Sequence, residues 1–194
     1  MVLKTRDRLI EVARQLFARK GIENTTMNDI ASASDKGRRT IYTYFKNKRD
    51  IFNAVIEQET DKLMETLRMI LDKPISPAEK LSMYIECRFE TMREIVSRNG
   101  SLKAGFFRDV RKVDRARKLV SQKEIEILSC ILREGVDKGQ FAVSRLHQTA
   151  VVIVHAIHGL DVPYIRDNLA EHGMDKSQVM QDLSDIILNG IRRR

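Results

Sequence analysis

Glycine and proline are scarce in this chain, and that scarcity strongly constrains its fold. Only 9 glycines and 3 prolines interrupt 194 residues. A sandwich or barrel of strands needs frequent turns, and turns favour these two residue types. Apolar residues recur instead at helical spacing along nearly the whole chain. The sequence therefore predicts an all-α fold of about nine helices.

Short breaks divide the predicted helices. The first amphipathic helix ends at Lys20-Gly21, where a cation in the last turn is followed by a glycine. Thr26-Met27-Asn28-Asp29 is similar to a capping box and begins the second helix. The third runs from about Arg38 to Phe45, and Asn47-Lys48-Arg49-Asp50 caps the fourth. The remaining predicted helices are a fifth around Leu81 to Val96, a short sixth from Leu102 to Val113, a seventh that ends at Lys138-Gly139, an eighth from Leu146 to about Asn168 and a ninth from about Lys176 to Ile191.

Positive charge is concentrated near the N-terminus. The chain has a net charge of +8, and residues 1–50 carry 12 Lys/Arg against 6 Asp/Glu. Residues 51–194 carry 23 against 21 and are almost neutral. A basic module attached to a nearly neutral body suggests a polyanionic partner at that end. A solvated basic surface is the alternative that charge alone leaves open.

Several classes of protein are disfavoured. The longest apolar stretch, Ala150 to Leu160, has 11 residues and is too short to cross a bilayer. The first residues lack the apolar core of a signal peptide, so we expect no membrane association. Cys87 and Cys130 form neither a metal-binding pattern nor a disulfide framework, which indicates a reducing cytoplasm and favours structural thiols over a redox switch. We find no nucleophile elbow, glycine-rich phosphate loop or evident carboxylate pair in the sequence, so we expect no enzyme activity, cofactor or metal.

The segment from Thr26 to Phe52 predicts a DNA-binding element. Two short helices joined by a four-residue turn and followed by a long helix form a helix-turn-helix. Two arginines at the start of its second helix oppose the helix dipole, so an external phosphate or guanine edge explains them better than helix stability does. The residues expected to pack the short helices are Ile30, Ala31, Ile41 and Phe45, and those expected on the outward face are Arg38, Arg39, Thr40, Thr43 and Tyr44.

The same segment resembles the tetracycline-repressor (TetR) family of bacterial regulators. Thr26 opens a helix that contains Ile30-Ala31, and a second helix ends with Tyr42-Thr43-Tyr44-Phe45. A lysine-containing cap, Lys46-Asn47-Lys48, precedes the apolar helix start Ile51-Phe52. This resemblance covers about residues 5–52, and the remainder agrees only in length, helix count and lack of pattern.

The turn of the helix-turn-helix departs from the family pattern. That turn usually reads Ala-Gly-Val-Ser-x-Gly, whereas here Lys36 replaces the valine and Arg39 replaces the later glycine. We expect Gly37 to permit a tight turn nonetheless. The two substitutions add positive charge near the DNA groove.

The resemblance implies particular DNA contacts. Tyr42 and Lys48 are expected to contact phosphates, and their chemistry agrees with that role. Arginine chemistry, rather than the resemblance, leads us to expect that Arg38 and Arg39 divide between guanine readout and phosphate. A place in the core is the alternative for the aromatic residues, and it suits Phe45 better than the tyrosines. The expected DNA-binding residues are Thr26, Arg38, Arg39, Thr40, Tyr42, Thr43, Tyr44, Lys46 and Lys48.

The resemblance also divides the chain by role. Residues 1–47 are expected to form the DNA-binding domain, and residues 48–194 the effector-binding and dimerisation domain. One helix-turn-helix reads few base pairs, so proteins of this kind bind pseudo-palindromes as dimers. The last two long helices are the expected homodimer surface, because one is apolar all round and the other carries a second apolar stripe. A monomer core is the alternative. The apolar segment is Ala150 to Leu160, and the second stripe is Val179, Leu183, Ile186 and Ile187.

A small-molecule cavity among the central helices is a further implication. Aromatic, methionine and polar residues there suit a largely apolar effector with a polar end, although plain core packing is the alternative. Arg88 needs an anionic partner, for which Glu59, Asp109 or an effector carboxylate are candidates. A metal at His155, His158 and Asp161 is disfavoured against ordinary structural histidines. The candidate ligand-binding residues are Tyr84, Arg88, Phe89, Met92, Phe106, Phe107 and His155.

Together these features predict a ligand-responsive transcriptional regulator. We expect a repressor that binds a double-stranded DNA operator as a homodimer and is released by a small molecule. The alternative is an architectural or chromosome-organising DNA-binding protein without an effector. Such a protein would occupy many genomic sites, and no compound would release it from DNA.

Overall fold

The chain folds into helices throughout its described length. A computed structural model describes residues 2–98, 110–166 and 168–193. This confirms the predicted all-α class, and the described residues contain an isolated antiparallel bridge between Phe141 and Arg192 but no strand. The elements are α1 (Val2–Lys20), α2 (Met27–Ala33), α3 (Arg38–Tyr44), α4 (Lys48–Arg68), α5 (Pro77–Arg98), α6 (Val110–Asp137), α7 (Leu146–Arg166), a 3-10 helix (Asn168–His172) and α8 (Lys176–Ile191).

One predicted element falls largely outside the described residues. The short helix expected from Leu102 to Val113 overlaps them only from Val110, where α6 begins. The predicted helix from Leu146 to about Asn168 corresponds to α7, which ends at Arg166. No helix in the described ranges is both long enough and apolar enough to cross a membrane.

The chain forms two compact units. The first contains Met1–Asp61 and Glu94–Ala116, and the second contains Lys62–Arg93 and Arg117–Arg194. Helices α4, α5 and α6 therefore contribute residues to both units. The boundary expected between residues 47 and 48 separates DNA binding from effector binding and dimerisation, whereas these units are defined by packing. The functional boundary stays a prediction.

Apolar packing in the first unit fixes the helix-turn-helix. Ile30 and Ala31 of α2 and Ile41 of α3 are buried, as is Phe45 directly after α3, which confirms the predicted packing set. These residues share one core with apolar residues of α1 and the start of α4. Burying side chains of this size contributes about 1.5–3 kcal/mol each, so tertiary packing rather than intrinsic propensity stabilises the two seven-residue helices.

Candidate functional site

A complete capping box begins α2. The Thr26 hydroxyl accepts a hydrogen bond from the Asp29 backbone N–H at 3.1 Å, and the Asp29 carboxylate accepts one from the Thr26 backbone N–H at 2.9 Å. The hydrogen bond from the Thr26 backbone to the Asp29 carboxylate, and after it one from the Thr26 side chain, hold the pKa of Asp29 below its ordinary value. The sequence prediction is confirmed. Thr26 itself is exposed.

The turn between α2 and α3 places its unusual backbone conformation at Asp35. This residue has φ 55°, in the left-handed region, whereas Gly37 has φ −66° and caps α3 in an extended conformation. The expectation that Gly37 supplies the freedom for the tight turn is therefore wrong. Asp35 stands where the family's turn has glycine, and an aspartate enters this region more easily than most residues do.

The outward face of α3 is polar and cationic. Arg38, Arg39, Tyr42 and Thr43 are exposed, and Tyr42 retains 44% of its accessible surface. The Arg38 guanidinium carbon lies 5.8 Å from the centre of the Tyr42 ring, a cation–π distance. An exposed tyrosine beside two arginines suits contact with DNA phosphates and base edges.

Two expected members of this face lie deeper. Thr40 is half-buried, and Tyr44 is half-buried and packs against the apolar core of the first unit. The expectation that Tyr44 belongs to the outward face is therefore corrected. The last turn of the seven-residue α3 packs against the core. Tyr44 therefore lies on the same side as Phe45, the buried residue directly after the helix.

The start of α4 carries the remaining expected DNA contacts. Asn47 caps the helix by accepting from the Asp50 backbone N–H at 3.0 Å, and Asp50 accepts from the Lys46 backbone N–H at 3.1 Å, which confirms the predicted cap. Lys46 is exposed. The Lys48 ammonium donates to the Ile22 carbonyl and, at 3.1 Å, to the Glu23 carbonyl. Lys48 therefore ties α4 to the loop before α2, a role that the sequence did not indicate.

In the second unit, a buried ionic network joins α5, α6 and α7. Arg88 is 1% exposed, and its Nε donates to Glu124 at 2.7 Å. Its two terminal nitrogens donate to the two carboxylate oxygens of Asp161, one of them at 2.9 Å. Of the partners suggested by the sequence, Glu59 pairs with Arg98 instead, and Asp109 lies outside the described residues. The true partners lie 36 and 73 residues away along the chain, a separation at which spacing carries no information.

Charge in this network is held by mutual pairing. Burial tends to lower the pKa of Arg88, but Glu124 and Asp161 raise it above its usual value. Burial tends to raise the pKa of Glu124, but Arg88 and then His158, which contacts the second Glu124 oxygen, lower it below its ordinary value. Arg88 and Glu124 are therefore both charged at neutral pH.

The expected ligand-binding residues fall into three groups. Tyr84, Arg88, Phe89 and Met92 of α5 are all buried in the protein. His155 is exposed on α7, with its ring centre 6.0 Å from that of His158, so the structure does not bring it into the buried group. Phe106 and Phe107 lie outside the described residues.

The acidic residues of this network were not predicted from the sequence. Glu124 had no assigned role, and Asp161 was considered only as a metal ligand. The described part of the chain contains no cluster of three or more residues suited to a metal. The one available signal was a buried-face arginine, which implies acidic partners without identifying them.

Comparisons with known proteins agree with the fold and with the first unit. The family model described as bacterial regulatory proteins, tetR family, matches residues 9–55. The HTH-type transcriptional regulator QacR of Staphylococcus aureus is 22% identical over 98% of this chain and 100% of its own. The probable acrEF/envCD operon repressor of Escherichia coli K12 is 47% identical over 29% of this chain and 26% of its own. A putative transcriptional regulator from Saccharomonospora viridis, solved in complex with choline, is 22% identical with a TM-score of 0.75, over 99% of this chain and 100% of its own.

The capped α2, the turn at Asp35 and the cationic face of α3 define a helix-turn-helix DNA-binding protein. The matched residues 9–55 enclose all three features. Over residues 9–55, this chain is a member of the tetR family of bacterial regulatory proteins.

Proposed function

We propose that this protein is a cytoplasmic repressor that binds a pseudo-palindromic operator as a homodimer and is released by a small-molecule effector. The observation that carries the proposal is the exposed α3 face of Arg38, Arg39, Tyr42 and Thr43. It projects from a helix whose opposite side is anchored by Ile41 at 0% exposure. Rigid anchoring of this kind lets a helix present a fixed set of side chains to a major groove.

We assign recognition of the bases and positioning of the protein on the DNA backbone to different residues. Arg38 and Arg39 are assigned to base edges and adjacent phosphate, because arginine matches guanine O6 and N7 in a bidentate manner. Thr43 and Thr40 lie on the same helix and are assigned to neighbouring bases. Phosphate contacts are assigned to Thr26, Tyr42, Tyr44, Lys46 and Lys48, which fix register on the duplex and carry no sequence information.

Dimerisation is assigned to α7 and α8. Val152 of α7 keeps 67% of its surface exposed and Ile186 of α8 keeps 71%, and both values are high for large apolar side chains. The expected stripe on α8 divides, because Val179 is buried in the protein while Ile186 points outward. Exposed apolar side chains on the two helices support a self-complementary interface of a two-fold dimer.

The effector is assigned to the helical body that contains Tyr84, Arg88, Phe89 and Met92. These residues combine two aromatic rings, a thioether and a charged network, a composition that suits an apolar ligand with a polar end. The structural neighbour solved with choline supports binding of a small molecule by this architecture. His155 is exposed and lies outside this buried group, and Phe106 and Phe107 lie outside the described residues.

Selection of bound DNA from a random pool tests the function. The wild-type protein and Tyr42→Ala are compared at two salt concentrations. Recovery of a pseudo-palindrome by the wild type, and its loss in the variant, is the expected result. Weak, salt-sensitive binding without selection, by protein that was refolded free of ligand, would instead indicate an architectural DNA-binding protein. The recovered site then serves as the probe for compounds that release DNA.

A further inference from the structure

Arg8 connects α1 to the turn of the helix-turn-helix. Its Nε donates to the Ser34 carbonyl at 3.2 Å, and its Nη2 donates to the Asp35 carboxylate at 3.0 Å. We call these two hydrogen bonds the Arg8 bridge. The bridge spans 26 and 27 residues of sequence and reaches the residue with the left-handed backbone.

The turn forms a Schellman motif with unusual residues. The Lys36 backbone N–H donates to the Ala31 carbonyl at 3.0 Å, and the Asp35 backbone N–H donates to the Ser32 carbonyl at 3.2 Å. The left-handed position of such a motif is usually glycine, and the next residue commonly makes an apolar contact with the last helical turn. Here these positions are Asp35 and the exposed Lys36. This turn therefore lacks both of the features that usually stabilise it.

The Arg8 bridge stabilises the turn in place of the missing glycine and apolar contact. The Ser34 carbonyl lies at the C-cap of α2, among the carbonyls that have no partner within a helix, and Arg8 satisfies it with a charged donor. The same guanidinium pairs with the Asp35 carboxylate. The side chains of Arg8 and Asp35 are 56% and 85% exposed, so the ion pair alone adds little stability. Its consequence is geometric, because the turn sets the direction in which α3 leaves α2.

We propose that Arg8 is a positioning residue for operator recognition, which fixes the orientation of α3 through the Ser34 carbonyl and the Asp35 carboxylate. The proposal rests on the operator binding proposed above. It differs from a direct phosphate contact by Arg8, which would act on all DNA alike. It also differs from a general contribution to stability, which would not depend on the residue at position 35.

A double-mutant cycle tests the proposal on the operator selected by the wild type. Arg8→Ala is expected to weaken operator binding about fivefold, to leave binding to random DNA within about twofold, and to leave the salt slope unchanged. In the Asp35→Gly background, the same change at Arg8 is expected to have less than a twofold effect, because glycine needs no support at positive φ. The melting temperature of each variant is measured alongside.

Lys4→Ala is the matched control. Lys4 lies four residues before Arg8 on α1 and is exposed, so its loss removes one positive charge from the same helix face. An equal weakening of operator and random DNA by Arg8→Ala, with a salt slope lower by about one, would overturn the proposal in favour of a phosphate contact. An Arg8→Ala effect of equal size in both Asp35 backgrounds would also overturn it.

Hydrogen exchange tests the same bridge without DNA. The backbone amides of Thr40 and Ile41 donate to the Gly37 carbonyl at the start of α3. We expect these amides to exchange faster in Arg8→Ala than in the wild type, and at the wild-type rate in Lys4→Ala. Unchanged exchange in Arg8→Ala would overturn the proposal. Failure of the wild type to select any site would count against the proposed function, whereas the exchange result would stand independently.

Discussion

Lys48 combines two tasks in one side chain. Its ammonium group donates to the carbonyls of Ile22 and Glu23, just before α2, from the first position of α4. An ammonium group has three donors, so one remains for a phosphate oxygen when both carbonyl bonds persist. The same residue can therefore fix the entry to α2 and contact the DNA backbone.

We expect Lys48→Ala to weaken binding to all DNA similarly and to lower the salt slope by about one unit. Loss of the two carbonyl bonds should in addition reduce the free energy of unfolding by about 1–2 kcal/mol. Binding titrations at several salt concentrations, together with urea unfolding, measure both effects. Lys46→Ala is the control, because Lys46 is exposed and its change should alter the salt slope without the loss of stability. A Lys48→Ala defect confined to one DNA sequence would contradict the phosphate role.

The sequence predicted the burial or exposure of some residues but not the long-range contacts or backbone conformation of others. The exposure of Tyr42 and the burial of Phe45 followed from local helical spacing and from the cost of burying a hydroxyl group. The engagement of Lys48 with Ile22 depends on how the α1–α2 loop folds back, which no local pattern encodes. The left-handed conformation likewise fell on Asp35 rather than Gly37, because the C-cap of α2 determines which residue must adopt it.

At the scale of elements, the capping box of α2 should be a measurable source of stability. Thr26→Ala removes the side-chain acceptor for the Asp29 N–H, and such changes cost about 1 kcal/mol. We expect this loss in urea unfolding of the whole chain. Asn28→Ala changes an exposed position in the same turn and should have little effect. Equal stability of Thr26→Ala and the wild type would mean that the cap does not contribute in solution.

The stability that the Asp29 carboxylate contributes to the capping box should depend on pH. The pKa of Asp29 lies below its ordinary value of 3.8, chiefly because its carboxylate accepts from the Thr26 backbone. A lowered pKa in the folded state adds stability above the ordinary value, and this stability is lost as pH falls through the folded value. The stability difference between the wild type and Asp29→Asn should therefore be present at pH 7 and shrink below about pH 4.

The ionic network between α5, α6 and α7 should be sensitive to the loss of its arginine. Arg88→Met leaves the Glu124 and Asp161 carboxylates buried without their common partner, and breaking such a pair costs about 3–5 kcal/mol. Adding Glu124→Gln and Asp161→Asn to Arg88→Met should recover part of the loss. Arg93→Met is the matched control, because Arg93 is exposed on the same helix and should change stability by less than about 0.5 kcal/mol.

Lowering the pH should reduce the difference in unfolding free energy between Arg88→Met and the wild type. In the wild type, the lowered pKa of Glu124 means that its contribution is lost only below the ordinary value of 4.5. In the variant, burial of Glu124 without Arg88 should raise the pKa of Glu124, so this carboxyl group becomes protonated and less costly to bury as pH falls. Unfolding free energies at pH 7 and pH 5 measure the change. A difference of the same size at both values would contradict this explanation.

The helices and caps of the helix-turn-helix could be predicted from the sequence, because their signals are local and lie between Thr26 and Phe52. The buried network could not, because Arg88 and Asp161 are 73 residues apart and meet only in the folded second unit. Helical periodicity correctly assigned Arg88 to an apolar face, yet it could not identify its partner. Long-range ion pairs are in this sense properties of the fold rather than of any segment.

At the scale of the whole molecule, the proposed dimer can be tested through its exposed apolar residues. In a two-fold interface each substitution occurs twice, so an introduced charge carries a doubled penalty. Ile186→Glu places a carboxylate where 71% of an isoleucine is exposed. We expect this change to raise the dimer dissociation constant by at least about a hundredfold. Val152→Glu on α7 should act in the same direction.

Light scattering at micromolar concentration distinguishes the dimer from the monomer. The wild type should have about twice the chain mass of 22.4 kDa, and Ile186→Glu should have the mass of one chain. Met69→Glu is the control, because Met69 is 58% exposed but lies on neither α7 nor α8, and it should remain dimeric. The monomeric variant should also lose most of its affinity for the full pseudo-palindrome while binding a half-site as weakly as the wild type does, since each subunit keeps its own α3. A wild-type mass of 22.4 kDa would mean that α7 and α8 are not a dimer surface in solution.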